Sequence, residues 1–420
     1  MKERDEPLKR DIGFFGSAFL SFNGLLGAAI FVLPGALYDR VGSFSLVLFP
    51  LFGWLALLIA LPFARVAGHF GGSGGPVVYA AGFGPFAAFQ AGWIYYVARA
   101  AAFAANLNVL GSYLGTLSPA LATPFARAAI IVTTVAAITA ANLAGVKRAI
   151  RVLDVLTLLK SAPLILAALA ALALFGVPDA PTSLPPRPEL EAAALLILYA
   201  FIGFENSTVA AGETVNARRT IPRAMIITIL ATALLYTVVQ AAYVSVMRQG
   251  SGGDAPMVAF GAALFGPVGA IALTLTAVAS LLGNVTGGMT STSRTTYALA
   301  RDGLLPGWFA RVSVRFATPV NSILAMGMLV GVLALSGSFV WLAVVSTLAR
   351  MFVYAIGIAA LPKLERGKPL LWLPVVIGIA LCAWAAAQSG WDAWRTLLLL
   401  VGAGVLLFGV TRLGKRPVEA

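Results

Sequence analysis

The feature that most limits what this chain can become is a succession of long apolar runs, separated by short polar loops. About 20 apolar residues in a helix span roughly 30 Å of hydrocarbon. Twelve such runs are read, at about 12–37, 43–67, 84–115, 124–143, 152–176, 190–211, 224–247, 260–290, 319–336, 339–362, 370–389 and 394–411. They are too long and too continuous for the short alternating strands of a membrane β-barrel. The expected fold is therefore an all-α polytopic membrane protein, with one transmembrane domain over 1–420. Composition agrees: 60% of the residues are hydrophobic and only 11% charged, where a soluble domain carries about a quarter charged. Lipid serves as the solvent for so much apolar surface.

Charge placement supplies the topology. The chain has 29 Lys and Arg against 16 Asp and Glu, a net +13. In a soluble protein that surplus would suggest nucleic acid. Threaded through twelve helices, however, 21 basic residues fall on one side of the membrane, five (Arg40, Arg127, Arg187, Arg248 and Arg395) on the other, and three (Arg99, Lys160 and Arg350) inside spans. That bias is the positive-inside rule, which places both termini in the cytoplasm of a chain in the cytoplasmic membrane. An odd helix count would scramble the alternation. The basic leader is also how a signal peptide begins, but the first run is too long, and it is read as a retained helix. The single cysteine, Cys382, lies in an apolar run, so cysteine content says nothing of redox compartment.

Two spans are interrupted. Helix 1 is broken over Ser21–Ile30, which holds Asn23, Gly24, Gly27, Ala28 and Ala29, and helix 6 over Phe201-Ile202-Gly203-Phe204-Glu205-Asn206. The breaks correspond if helices 1–5 (about 12–176) and 6–10 (about 190–362) are inverted repeats, with helices 11 and 12 (about 370–411) appended. Paired breaks of this kind point to a transporter's binding site. Unwinding a helix in lipid frees N–H and C=O groups that need partners. A half-helix N-terminus suits a carboxylate, and a half-helix C-terminus suits an ammonium. Two broken helices side by side can hold both ends of a zwitterion. The competing explanation is that the glycines only allow close helix packing.

At these breaks the chain resembles the amino acid–polyamine–organocation transporters, whose members share the inverted-repeat fold of the bacterial leucine transporter. Gly27-Ala28-Ala29-Ile30-Phe31-Val32-Leu33-Pro34-Gly35 is similar to the family's G-x-G-I-F-x-x-P-G, and Gly74-Gly75-Pro76-Val77-Val78-Tyr79 to its G-G-x-y-x-Y. The stretch from Phe201 to Glu205, followed by Glu213, Asn216, Arg219, Ile221, Pro222 and Arg223, resembles F-x-G-F-E…E-x-x-N-P-x-R-x-I-P. Ser293-Arg294, Tyr297–Gly303, Leu305-Pro306 and Thr318-Pro319-Val320 complete the match. Two positions depart from it: Ala29 replaces the second glycine, where its methyl narrows the backbone nest, and Ala217 replaces the exit proline. The resemblance implies secondary active transport of amino acids by alternating access, sodium-independent, as proton-coupled symport or exchange. A polyamine or amine exchanger of the same fold is the alternative.

Charges at membrane depth need a cavity or a partner. Lys160 is similar to the family's helix 5 lysine, which takes the place of a sodium ion in cation-independent members. It would reach the helix 1 break and helix 8, through Ser280, either coupling proton movement or acting as a brace. Glu205 can bond freed backbone donors, sense pH, or pair with Arg99. Arg99 can instead meet an anionic substrate group, and Arg350 has no partner readable from sequence. The substrate-binding candidates are Asn23, Gly27, Ala28, Ala29, Ile30, Tyr95, Tyr199, Phe201 and Gly203, with Lys160, Glu205, Arg99 and Ser280 for coupling or gating.

Other signals are discounted. Asn206-Ser207-Thr208 and Asn284-Val285-Thr286 fit the glycosylation pattern but lie at membrane depth. Gly71–Gly75 lacks the Lys-Ser/Thr of a phosphate-binding loop, so neither nucleotide nor nucleic acid is expected as a partner. His69 is the lone histidine, which excludes paired-histidine metal motifs. No converging nucleophile and base is found, so an enzyme is not expected, and neither is a cofactor or metal. The partners expected are a small amino acid substrate and the bilayer, with homo-oligomerisation left open.

Overall fold

The computed structural model describes residues 10–71, 74–144, 162–181, 183–247, 252–313, 315–316 and 318–413. Among these residues the chain is helical, with no strand and two isolated bridges. The helices are α1 (Phe14–Leu25), α2 (Ala29–Val41), α3 (Ser45–Ala67), α4 (Pro76–Ala80), α5 (Pro85–Gly115), α6 (Pro124–Leu143), α7 (Ala162–Phe175) and α8 (Arg187–Ala200). There follow α9 (Asn206–Val209), α10 (Ala217–Val246), α11 (Pro256–Arg301), α12 (Val320–Ser336), α13 (Phe339–Ala359), α14 (Leu361–Leu364), α15 (Trp372–Ala387) and α16 (Trp391–Leu413).

Seven helical segments among the described residues are long and apolar enough to cross a membrane, the first joining α2 and α3, and α1, α7 and α12 are shorter apolar helices. The chain is an integral membrane protein of all-α, polytopic type. The long helix α5 is not one of the seven, and its environment explains why. Of its 31 residues 24 are buried, Gln90, Arg99 and Asn106 among them, against 4 of 23 in α16. It is the central helix, packed along α13, α11 and α12. Surrounded by protein, it needs no lipid-compatible surface. Its buried alanines, Ala98, Ala100, Ala101, Ala104 and Ala105, let neighbouring backbones come close, as is usual where apolar lipid gives no net drive for helix association.

Prolines mark helix starts, where their missing N–H costs nothing: Pro85 opens α5 behind Gly84, and Pro124 opens α6, whose Thr123 side chain caps the Ala126 N–H at 3.2 Å. The expected eighth span, at 260–290, is corrected by a further such start. Phe265 and Gly266 leave helical geometry, Gly266 at φ 62°, and Pro267 follows. Residues 256–264 are thus a separate helix, and the long span begins after the kink and runs to Arg301. The Lys160 end of helix 5 lies outside the described residues.

The N-terminal arm is strapped to the exit of the second broken helix. The Ile12 N–H donates to Glu213 O (3.0 Å) and the Val215 N–H to Ile12 O (2.9 Å), a short parallel bridge. A second clasp joins the end of α3 to the segment after α14. Glu365 accepts both Arg65 Nε and Nη2 at 2.7 Å and Lys368 Nζ at 2.8 Å, and His69 Nε2 lies 2.9 Å away. Arg65, then Lys368 and His69, hold the Glu365 carboxyl well below the usual carboxylate range.

A carboxylate with a depressed pKa contributes stability above its unfolded pKa, which is lost as pH falls through the folded value. The clasp is therefore complete throughout the neutral and mildly acidic range. Glu365→Gln is expected to cost on the order of 1 kcal/mol, because its partners Arg65 and Lys368 are about half exposed to water. Thermal unfolding of detergent-solubilised protein at several pH values checks this. The gap between wild type and variant stays flat from about pH 7 to 5 and closes only in stronger acid.

Candidate functional site

Both breaks are present, and they touch. The Leu26 N–H still reaches Phe22 O at 2.9 Å, Gly27 N–H turns to Leu25 O at 3.1 Å, and helical bonding resumes with Phe31 N–H to Ala28 O at 3.0 Å. The N–H groups of Ala29 and Ile30, at the start of α2, have no acceptor among the described residues. In the other break, Phe201–Glu205 connects α8 to α9, with Gly203 at φ 122°, a region that favours glycine. Gly24 and Gly203 meet backbone to backbone. A Cβ on Gly24 would lie 2.5 Å from Gly203 O, and one on Gly203 would overlap the Gly24 carbonyl group.

Peptide groups freed by the breaks are bonded from neighbouring helices. Asn106 of α5 accepts the Ala28 N–H (2.8 Å) and donates to Asn284 Oδ1 of α11 (2.8 Å), and Asn284 donates to Asn23 O (2.6 Å). Tyr236 of α10 donates to Leu25 O (3.2 Å). Ser21 Oγ donates to Phe204 O (2.7 Å) and lies 3.0 Å from Ser207 Oγ. The Glu205 carboxylate accepts the Gly203 N–H (3.0 Å) and the Tyr354 hydroxyl (2.7 Å) on Oε2.

Three buried charges surround this point. Glu205 is 0% exposed and its Oε1 faces Arg350 Nε of α13 at 3.6 Å. Arg99 Nη1 donates to Asn206 Oδ1 (2.8 Å) and its Nε to Thr292 Oγ1 (3.3 Å), with the guanidinium 4.8 Å over the Phe103 ring. Tyr95 reaches the same Asn206 oxygen at 3.4 Å. An unpaired charge at this depth costs about 2.5–3.5 kcal/mol on insertion scales, so the arrangement is a strong constraint on the four helices involved.

Between the breaks lies a narrow cavity of about 20 Å³, lined by Gly27, Ala29, Arg99, Asn106, Tyr199, Asn284 and Arg350 together with small and apolar neighbours. That volume is enough for about one water. The site is closed down in this conformation.

Four candidates from the sequence, Gly27, Ala29, Tyr199 and Arg99, line the cavity. Asn23 and Ala28 belong to the amide relay, Ile30 is buried behind it, and Gly203 forms the contact between the breaks. Phe201 turns the other way, edge-on to Tyr236 at 6.0 Å, so it braces α8 against α10. The ion-pair partner of Glu205 is Arg350; Arg99, offered by the sequence, bonds Asn206 instead. Ser280 is buried in α11, and its expected partner Lys160 is outside the described residues. Asn106, Asn284, Tyr236 and Tyr354 were missed. An asparagine at membrane depth is itself a signal, and Asn284 was seen only as a false glycosylation match.

Gly203→Ala is expected to destabilise the protein by at least about 1–3 kcal/mol, because the methyl meets the Gly24 backbone at a φ that alanine avoids. Gly82→Ala, where a Cβ meets nothing within 4 Å, leaves stability unchanged. Thermal unfolding and monodispersity of the two purified variants check the contrast.

Comparison with known proteins agrees with this architecture. The amino acid permease family profile matches residues 12–411. An uncharacterized transporter of Mycobacterium tuberculosis is 29% identical, covering 98% of this chain and 93% of its own. The branched-chain amino acid permease BcaP of Bacillus subtilis is 27% identical over 96% of this chain and 93% of its own. The human Asc-type amino acid transporter 1 is 25% identical over 89% and 74%. With broken helices, a buried polar site and a profile match along nearly its whole length, the chain belongs to the amino acid permease family and is a membrane transporter, not an enzyme.

Proposed function

We propose that this transporter moves amino acids by alternating access without sodium, as a proton-coupled symporter or an exchanger, holding its substrate between the two breaks. The observation that carries this is the pair of unpaired N–H groups, Ala29 and Ile30, at the N-terminus of α2 beside the cavity. Such a terminus is suited to a carboxylate. The C-terminus of α8, whose Tyr199 lines the same cavity, presents carbonyls suited to an ammonium. The near-closed volume fits an occluded state, from which one side must open for substrate to enter or leave. Relatives named as a branched-chain permease and an Asc-type transporter support amino acids as the class.

The same reading takes 12–176 and 190–362 as inverted repeats, since the breaks fall at corresponding places in each. It places both termini in the cytoplasm of the cytoplasmic membrane, on the strength of the basic-residue bias. Lys160 would couple proton movement or brace helices 1, 5 and 8. A polyamine exchanger stands second, because two cavity-lining guanidiniums, Arg99 and Arg350, repel a polycation.

Reconstitution into sodium-free liposomes tests the proposal. Saturable counterflow of at least one natural amino acid is expected, unchanged by added sodium and not competed by putrescine. Lys160→Ala is expected to lower it by at least about tenfold. Flux that rises linearly with concentration, or that is carried by putrescine alone, would sink the idea.

A further inference from the structure

Among the described residues the charges around the cavity do not balance. Arg99, Glu205 and Arg350 are the Lys, Arg, Asp and Glu side chains buried among the described residues. Two positive groups therefore meet one negative group, and both positive groups line the cavity. The mismatch is also visible atom by atom. Glu205 gives Oε2 to the Gly203 N–H and the Tyr354 hydroxyl, and its Oε1 stands 3.6 Å from Arg350 Nε, beyond hydrogen-bond length. Arg350 is 2% exposed, yet its Nε and Nη2 have no hydrogen-bond acceptor among the described residues. Arg99 directs Nη1 and Nε to the neutral oxygens of Asn206 and Thr292, which leave its charge uncompensated.

Buried guanidinium donors without acceptors are rare and call for an explanation. A zwitterion supplies none, because its single carboxylate is matched by its own ammonium and is already accommodated at the Ala29 and Ile30 N–H groups. A second carboxylate would. Arg bonds carboxylates strongly through its planar fork; Arg350 turns Nε toward Glu205 Oε1, itself without a hydrogen-bond partner, and keeps Nη2 unused in a dry, low-dielectric setting where such bonds are strongest.

We infer that the preferred substrate is a net-anionic amino acid, one bearing a second, side-chain carboxylate. Its α-carboxylate sits at the N-terminus of α2, and its side-chain carboxylate lies against Nη2 of Arg350, with Arg99 completing the neutralisation. The substrate's net negative charge then balances the surplus positive charge of Arg99, Glu205 and Arg350. This deepens the amino acid reading above and rests on it.

The test is counterflow in liposomes holding the full chain, with aspartate, glutamate, asparagine, glutamine and leucine labelled in turn and each competed by the others. Aspartate or glutamate is expected to compete on the order of 10–100-fold better than the amide of the same shape. Equal or better competition by asparagine, glutamine or leucine overturns the inference and leaves amino acid transport standing. Counterflow of none of the amino acids overturns both. Arg350→Gln is then read through the ratio of acid to amide competition, which a merely structural loss would not move. The ratio is expected to fall about tenfold toward unity; an unchanged ratio overturns the inference. If Arg350→Gln does not yield folded protein, Arg99→Gln is read by the same ratio, and the wild-type series decides on its own.

Discussion

A peptide group at the middle of a bilayer has no water to bond, and the site is organised by that constraint. Opening two helices creates several such groups at once. Several are matched from other helices: Asn106 from α5, Asn284 from α11, Tyr236 from α10, and Ser21 across from one break to the other. Unwinding therefore does not loosen the bundle. It replaces bonds within a helix by bonds between helices, and so ties the broken pair to its surroundings.

Glu205 shows how far this goes. One oxygen of its carboxylate caps the Gly203 N–H within its own break and receives the Tyr354 hydroxyl from α13, and the other faces Arg350 on the same helix. A charge that would be costly alone is held by one main-chain donor, one hydroxyl and one cation. The family's F-x-G-F-E pattern thus has a local reason. Glycine provides the left-handed turn and the close approach to Gly24, and the glutamate two residues on bonds the amide that the turn exposes.

Much of this was legible beforehand, for stated reasons. Apolar runs bounded by Gly-Pro and Thr-Pro placed α5 and α6 within a residue or so of Pro85–Gly115 and Pro124–Leu143. The breaks were visible because consecutive glycines and small residues interrupt otherwise uniform spans. The kink at Gly266-Pro267 was not, since residues 256–264 are apolar enough to blend into the following span. Partners across helices were also out of reach. Spacing along one helix says which face a residue occupies but not which helix that face meets. Hence the packing of Phe201 on Tyr236, the pairing of Arg350 with Glu205 and the bond from Ala28 to Asn106 emerge only from the structure.

The strap between Ile12 and the 213–215 segment links two regions that are far apart in the chain. One end leads directly into α1 and the other lies just beyond α9, so each half of the broken pair is gripped at the same end. A tilt of α1 by itself would tear two main-chain bonds, whereas a tilt shared with α9 keeps them. The strap thus fastens the two broken helices together at one end, as the contact of Gly24 with Gly203 does at the breaks.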